Sequence, residues 1–399
     1  MRQPKGSLVS NFFHFIDTLS KIGLKLSAGN NILGERLCDG TQFSQKLRDE
    51  KEERMIRFKK HEEKAIFHSP LKNFEIDSQP IEYREDPISG LTSFVRTGRA
   101  FWAQIYKTDE ALLEKLVEES RGRCFFCPEK VNTSTPKFPV AFFREGRMAR
   151  GEATLFPNLF AHKEYSAIIS LTRKHYLRLN EFEPELLANG FKLAGLYLRR
   201  AHEAGGVEYA EIGGNYLYPS GASVVHPHLQ VIASHGAHTL IKVFVEKGKA
   251  YYKKYSRNIW DELISKEKQL GERYLGRIGS TEWFTPFAPI REDEVNAVVQ
   301  GKSNFLEFED GDWESLAKGL SRVLKAYHDK GFSCYNFAIY SGPLGRKLKY
   351  LRAGIKIISR SSVQTYPVSD TWYSSAILLD GFVVEPPEEV AKGMRPYFE

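Results

Sequence analysis

Between residues 224 and 233 the chain reads Val-Val-His-Pro-His-Leu-Gln-Val-Ile-Ala, with polar and apolar positions alternating in a period of two. Alternate residues of a strand share one face and lie about 7 Å apart. His226, His228 and Gln230 are therefore expected on one face, with Val225, Leu229, Val231 and Ala233 packed behind them. Polar side chains in a row on an otherwise apolar strand are costly to bury without partners. The alternative is a solvated strand face, and the rest of the chain decides between the two. Residues 163–171 alternate in the same way, and residues 183–203 carry apolar positions at helical spacing. Next comes Asn215-Tyr216-Leu217-Tyr218-Pro219-Ser220-Gly221, leading into the histidine strand.

The same order recurs downstream. A strand is expected over residues 293–299 and a helix over 313–330. Asn336-Phe337-Ala338-Ile339-Tyr340-Ser341-Gly342 and a strand over 352–358 follow. This pattern predicts an α+β fold of two related halves, each a mostly antiparallel sheet with a helix laid on it. Aligned on sequence, Arg352, Gly354 and Lys356 take the places of His226, His228 and Gln230. One half keeps the histidines and the other keeps only the scaffold. The expected division is an N-terminal extension over residues 1–80, a first half over 81–280 and a second half over 281–399. Residues 46–64 are densely charged, with Leu47, Met55, Ile56 and Phe58 as their few apolar positions, and read as an exposed helix laced with ion pairs.

Composition narrows the classes. An apolar content of 42% in 399 residues is enough to build a full core. No run of about 18 apolar residues occurs, so no transmembrane helix is expected. The first 30 residues lack an apolar stretch with a small-residue cleavage site, so no secretory signal is expected. A net charge of +7 suits phosphorylated ligands. Basic residues are not interleaved with aromatics in a patch, so nucleic acid is not expected as the main partner.

Of four cysteines, Cys38 and Cys334 are isolated, while Cys124 and Cys127 form a Cys-x-x-Cys pair. That usage suits a reducing, cytoplasmic setting rather than a disulfide scaffold. Pro128 directly after the pair disfavours the helix that a redox pair would open, and favours a knuckle in which two thiolates reach one zinc ion. Such a site needs two further N or S donors, and His162, His175, His202, His226 and His235 are the candidates.

Taken in order, these motifs resemble the galactose-1-phosphate uridylyltransferase family of the histidine-triad superfamily. The resemblance spans roughly residues 82–395. It rests on Cys124-x-x-Cys127-Pro128, on Leu155-Phe156-Pro157-Asn158, on His175, and on Asn215, Gly221 and Ser223 before His226-Pro227-His228-Leu229-Gln230. Phe284-Thr285-Pro286-Phe287-Ala288-Pro289 looks like the start of the second half. The resemblance implies a closed, structural zinc site of Cys124, Cys127, His175 and His226. It implies His228 as the nucleophile, with Gln230 and Ser223 on the phosphate oxygens. Substrate contacts would come from Arg96 or Arg99, Asn158, Asn215 and Gly221.

The implied reaction moves a nucleoside monophosphate, UMP in the first instance, between a nucleoside diphosphate sugar and a sugar 1-phosphate through a nucleotidyl-histidine. A homodimer is also implied by the resemblance alone. The chain departs from the family where a second metal site is built partly from a His-x-His, because Arg352-Ala353-Gly354 stands there. That second site is expected to be absent, and Lys347, Lys349, Arg352 and Lys356 form an alternative phosphate surface. The sugar specificity is thereby open. Two other readings remain: an ADP-sugar or dinucleoside-polyphosphate phosphorylase using inorganic phosphate, and a nucleotide-binding protein without catalysis.

Overall fold

The computed structural model describes residues 56–96, 107–365 and 369–399, and opens on a two-stranded arm. Strand β1 (Lys59–Ser69) pairs antiparallel along its whole length with β2 (Glu75–Glu85), and β3 (Thr92–Val95) extends this small sheet. Residues 59–64 therefore lie in a strand, contrary to the helix expected over 46–64; residues 46–55 lie outside the described residues. The charges pair across strands instead of along a helix. Lys59 meets Glu85 at 3.0 Å, Lys60 meets Glu82 at 2.8 Å, and His61 stacks on Tyr83. The base of the arm also belongs to the body, since Ile56 is buried and Phe58 stacks on Phe287 at 4.7 Å.

Helices α1 (Glu110–Arg121) and α2 (Pro128–Ser134) come next. They precede β4 (Met148–Arg150), β5 (Ala153–Pro157) and β6 (Tyr165–Ser170). Helix α3 (Pro184–Gly205), β7 (Tyr209–Tyr216) and β8 (His228–Ser234) complete the first half. Helices α4 (Thr239–Tyr255) and α5 (Ile259–Leu270) then lead to the second half. Its elements are β9 (Tyr274–Ile278), β10 (Thr281–Phe284), β11 (Val295–Val299), α6 (Asp310–Asp329), β12 (Cys334–Tyr340) and β13 (Gly354–Arg360). Strand β14 (Gly381–Val383) pairs parallel with β3, and α7 (Pro387–Met394) follows it.

Strands β4 to β13 make one antiparallel sheet in the order β4-β5-β6-β8-β7-β12-β13-β11-β10-β9. Read from either edge, the connectivity is the same, with a helix between the third and fourth strands of each half. This is the duplication that the repeated order of elements predicts. The two halves join through β7 and β12, where Asn215 stands opposite Asn336.

Counting along the ladders from this pair changes the expected correspondence. Ile358 lies opposite Asn336, and Arg360 opposite Cys334. Gln230 lies opposite Gly213, so continuing that register brings His228 opposite Asn215. The second-half counterparts of His228 and Gln230 are thus Ile358 and Arg360, not Gly354 and Lys356. Lys356 takes the place of His226. The excursion between β12 and β13 is longer than a sequence alignment assumes.

Helices α3 and α6 lie side by side on one face of the sheet. They bury Leu187, Phe191 and Leu198 from α3, and Leu316, Leu320 and Val323 from α6. Gly319 lets α6 sit directly on β10, because a Cβ there would lie 1.9 Å from the buried Trp283 ring. Overpacking of this kind costs about 1–3 kcal/mol. The opposite face is treated differently in the two halves. Over the second half, Ile241, Phe244, Trp260 and Leu263 of α4 and α5 close over Phe284 and Val298. Over the first half, among the described residues, the corresponding face carries a small cluster of Phe126, Val131, Phe156 and Ile168. The face less covered by the described residues is the one that carries His228, whose own side chain is buried and whose imidazole pKa is lowered by that burial.

Candidate active site and metal centre

The cysteine knuckle is built by two helix ends. Helix α1 finishes at Arg121, and the Cys124 amide donates to the Arg121 carbonyl at 3.2 Å. Cys127 caps α2 with an extended backbone, and Pro128 opens that helix instead of disfavouring one as expected, because at the first helical position its missing N–H costs nothing. His175 reaches in from the loop after β6. His226 lies just before β8, which begins at His228, so His226 is not part of the regular strand.

Cys124, Cys127, His175 and His226 are all buried, and their donor atoms lie within 4.8 Å of one another. The Sγ–Nδ1 separations are 3.6 Å for Cys124–His226, 3.3 Å for Cys127–His175 and 3.7 Å for Cys127–His226. Tetrahedral zinc with ordinary Zn–S and Zn–N lengths puts S and N about 3.5 Å apart. The four residues fit that ion. Their outer nitrogens are also satisfied: His226 Nε2 lies 2.8 Å from the Thr172 carbonyl, and His175 Nε2 lies 2.8 Å from Ser120 Oγ. Ser120 gives its own proton to the Val117 carbonyl at 2.9 Å, so it accepts from His175. Both rings are thereby held with Nδ1 facing the thiols. Burial, reinforced by Cys124, pushes the Cys127 thiol up to about 12, and burial pulls the His226 imidazole down to about 4. A bound divalent cation reverses this preference for neutral thiols by stabilising the thiolates.

His228 points its Nδ1 at the His226 carbonyl, 2.8 Å away. A carbonyl only accepts, so Nδ1 carries the proton and Nε2 keeps its lone pair. The Phe126 ring stands edge-on at 5.4 Å. Gln230 follows on the same face, flanked by Ile168 of β6 and Gly213 of β7. Gly213 adds no side chain over it. Ser170 is the ladder partner of His228. Past Ser170 a cleft of about 600 Å³ opens, bounded by Phe126, Val131, Thr154, Arg147 and Arg173.

The remaining candidates fall into two groups. Ser223 is exposed beside Gly221, whose φ of 90° is a glycine conformation. Asn158 donates to Ser166 Oγ at 3.3 Å and accepts the Phe160 amide at 3.1 Å, which shapes the loop after β5. Asn215 lies on the His228 face of β7. Arg96, by contrast, lies just past β3 in the small sheet, with its guanidinium on Gln79. Arg99 lies outside the described residues.

The structure does not bring Lys356 to His228. Strand β13 is three positions from β8 in the sheet, and Lys356 Nζ lies 2.5 Å from the buried Glu294 carboxylate. Nor is the expected basic surface free. Arg352 forks onto Asp261 at 3.0 and 2.6 Å, and Lys347 lies 3.4 Å from Glu307. The cluster of Phe126, Val131 and Ile168 beside His228 is missing from the sequence reading. Its residues sit on three elements, and only Phe126, inside the Cys-x-x-Cys pair, carried a local signal.

No protein-family model matches the chain. An uncharacterised protein of Archaeoglobus fulgidus is 29% identical over 322 residues, covering 80% of this chain and 93% of the relative. Among solved structures, a GalT-like protein of Arabidopsis thaliana matches with a TM-score of 0.58 at 16% identity. An ADP-glucose phosphorylase of Arabidopsis thaliana with bound ADP-glucose gives 0.58 at 17%, and a uridylyltransferase mutant gives 0.59 at 17%. Each covers 79% of this chain and 98% of its own. The chain has the fold of the galactose-1-phosphate uridylyltransferase-like proteins, as its histidine strand and cysteine knuckle imply.

Proposed function

We propose that the chain is a nucleotidyltransferase that moves a nucleoside monophosphate, UMP in the first instance, from a nucleoside diphosphate sugar to a sugar 1-phosphate through a covalent nucleotidyl-His228. The observation that carries this reading is the tautomer of His228. Its Nδ1 proton is held by the His226 carbonyl, which leaves Nε2 as an unshared nucleophile beside Gln230 and Asn215. In the first step Nε2 attacks the α-phosphorus. The P–N bond forms as the bond to the bridging oxygen breaks, and sugar 1-phosphate leaves with the electron pair. In the second step a phosphate oxygen of the acceptor attacks the same phosphorus and displaces the histidine, so the kinetics are ping-pong.

Gln230 and Ser223 donate to the non-bridging oxygens, where preorganised donors act on developing charge. Phe126, Phe156 and Ile168 supply an apolar bed for the base. Cys124, Cys127, His175 and His226 would hold a zinc ion, and that would fix His226 and hence the carbonyl that orients His228. Arg96 or Arg99 serves as a phosphate contact in this reading, and a homodimer is its expected assembly. No helix among the described residues is long and apolar enough to cross a membrane.

The test is intact-protein mass at neutral pH after incubation with UDP-glucose, UDP-galactose, ADP-glucose or a dinucleoside polyphosphate. A gain of one UMP or AMP, absent in His228→Ala, is expected and names the nucleotide. Release of that adduct by a sugar 1-phosphate rather than by inorganic phosphate separates a transferase from a phosphorylase. A zinc-loaded chain that takes no label from any donor would sink the reading.

A further inference from the structure

The half without histidines reaches into the site of the other half. Asn336 of β12 donates from Nδ2 to Asn215 Oδ1 at 2.5 Å and to the Ser220 carbonyl at 2.9 Å. Its Oδ1 accepts from Arg360 Nη1. Arg360 in turn forks onto Asp370, with Nε–Oδ2 at 2.5 Å and Nη2–Oδ1 at 2.7 Å. Arg360 and Asp370 are 17% and 9% exposed at their side chains, so the pair is held inside the protein.

The direction of this chain of bonds is dictated by chemistry. A guanidinium only donates and a backbone carbonyl only accepts. Asn336 must therefore turn Oδ1 towards Arg360 and Nδ2 towards Ser220. Asn215 must then turn Oδ1 towards Asn336. What remains is the Asn215 Nδ2 group, which has no partner among the described residues and lies on the face that carries His228 and Gln230. An Asn free to flip would present its oxygen to a phosphate as readily as its NH2.

We propose that Asp370, Arg360 and Asn336 are positioning residues that act through Asn215, holding its NH2 group towards the phosphate oxygens at His228. This rests on the nucleotidyl-transfer reading above, and it gives the second half a part in the first half's chemistry. Asn336 faces Ile358 in its own half, where no nucleophile stands. The duplicated asparagine has been turned to the neighbouring site.

The test is a double-mutant cycle on the full, zinc-loaded chain. It reads the single-turnover rate of His228 labelling by whichever donor labels the wild type. Asn336→Asp keeps the size and the hold on Arg360 but offers only oxygen to Asn215, which must then reverse. A slowing of roughly 100- to 1,000-fold is expected, as for loss of one preorganised donor to developing charge, with the donor KM changed little. In an Asn215→Ala background the same substitution should add almost nothing. A rate unchanged by Asn336→Asp, or a loss that persists in full without Asn215, overturns the relay. Asp370→Asn, which loosens Arg360, is the second variant if Asn336→Asp fails to retain zinc, and the same cycle applies to it. A wild-type chain that takes no label overturns the nucleotidyl-transfer reading itself, an outcome distinct from a labelled wild type with an indifferent Asn336.

Discussion

The carbonyl of His226 accepts the Nδ1 proton of His228 at 2.8 Å, while the His226 ring belongs to the cysteine knuckle. One residue therefore does two jobs through two different groups. Its ring lies against Cys124 and Cys127, and its backbone selects the tautomer of His228, the proposed nucleophile. A structural ion held at this place would act on the proposed reactivity without touching substrate, because the carbonyl moves if the ring does.

Ser120 tests that coupling from one step further out. It accepts from His175 Nε2 while donating to the Val117 carbonyl, so it aims His175 at the metal position. Ser120→Ala removes the acceptor and leaves every proposed ligand in place. Outer partners of this kind are worth about 10- to 100-fold in metal affinity. Competition with a chromogenic chelator should show zinc leaving at correspondingly lower chelator concentration. At saturating zinc, labelling of His228 should return to the wild-type rate. Unaltered zinc retention would remove Ser120 from the metal site.

Phe126 lies between the two cysteines, and its ring meets Phe156 at 5.3 Å and His228 at 5.4 Å. Phe126→Ala is predicted to weaken donor binding by roughly 5- to 10-fold, the scale of one aromatic contact of about 1 kcal/mol. In a ping-pong reaction the nucleotide stays on the protein for the second step. The acceptor KM should thus move far less than the donor KM. Equal changes in both would place Phe126 in general packing rather than in a base site.

Much of this site was legible in the sequence because its residues sit close together in the chain or at fixed spacing. The alternation from Val225 to Ala233 marked β8, and Pro128 after Cys127 marked the knuckle. The duplicated order of elements marked the two halves. Ladder register was not legible, since the length of the excursion between β12 and β13 is free, and Lys356 was accordingly matched to Gln230 rather than to His226. The strand at residues 59–64 was missed because alternating charges suit i,i+4 pairing and cross-strand pairing alike. Helices α4 and α5, which cover the second half's face, gave no chemical signal, yet among the described residues they are what makes the two faces differ.

A buried ionic knot ties the arm to the second half. Arg273, 2% exposed, meets Glu267 at 3.1 Å and Glu388 at 2.7 Å, and Glu388 also holds Arg84 at 2.8 Å. The Phe287 ring lies within 5.2 Å of both guanidinium groups. Arg273→Met should cost about 3–5 kcal/mol, because it leaves Glu267 buried without its counter-charge. Adding Glu267→Leu should recover much of that loss, since an apolar pair of similar volume needs no compensation. Urea unfolding of the single and double variants gives the comparison, and a double variant no more stable than Arg273→Met would contradict it.

Glu292 provides a pH signature apart from the metal ligands. Burial, with the neighbouring Asp293 next in effect, pushes its carboxyl up to about 8. Glu385 adds like charge, Lys330 bonds Asp293 and Glu385, and the Val384 amide donates to Glu292 at 2.5 Å. The folded chain therefore keeps a proton that the unfolded chain releases near the ordinary glutamate value of about 4.3. Between those two values the unfolded state binds fewer protons, so stability falls as pH rises. The contribution of the protonated carboxyl is complete below the unfolded pKa and is lost as pH climbs through the folded one. Glu292→Gln keeps the acceptor for Val384 and cannot ionise. Its melting temperature should match the wild type near pH 4, below the unfolded pKa, and exceed it increasingly towards pH 8.5. Parallel curves for the two proteins across that range would show that Glu292 is already ionised in the fold.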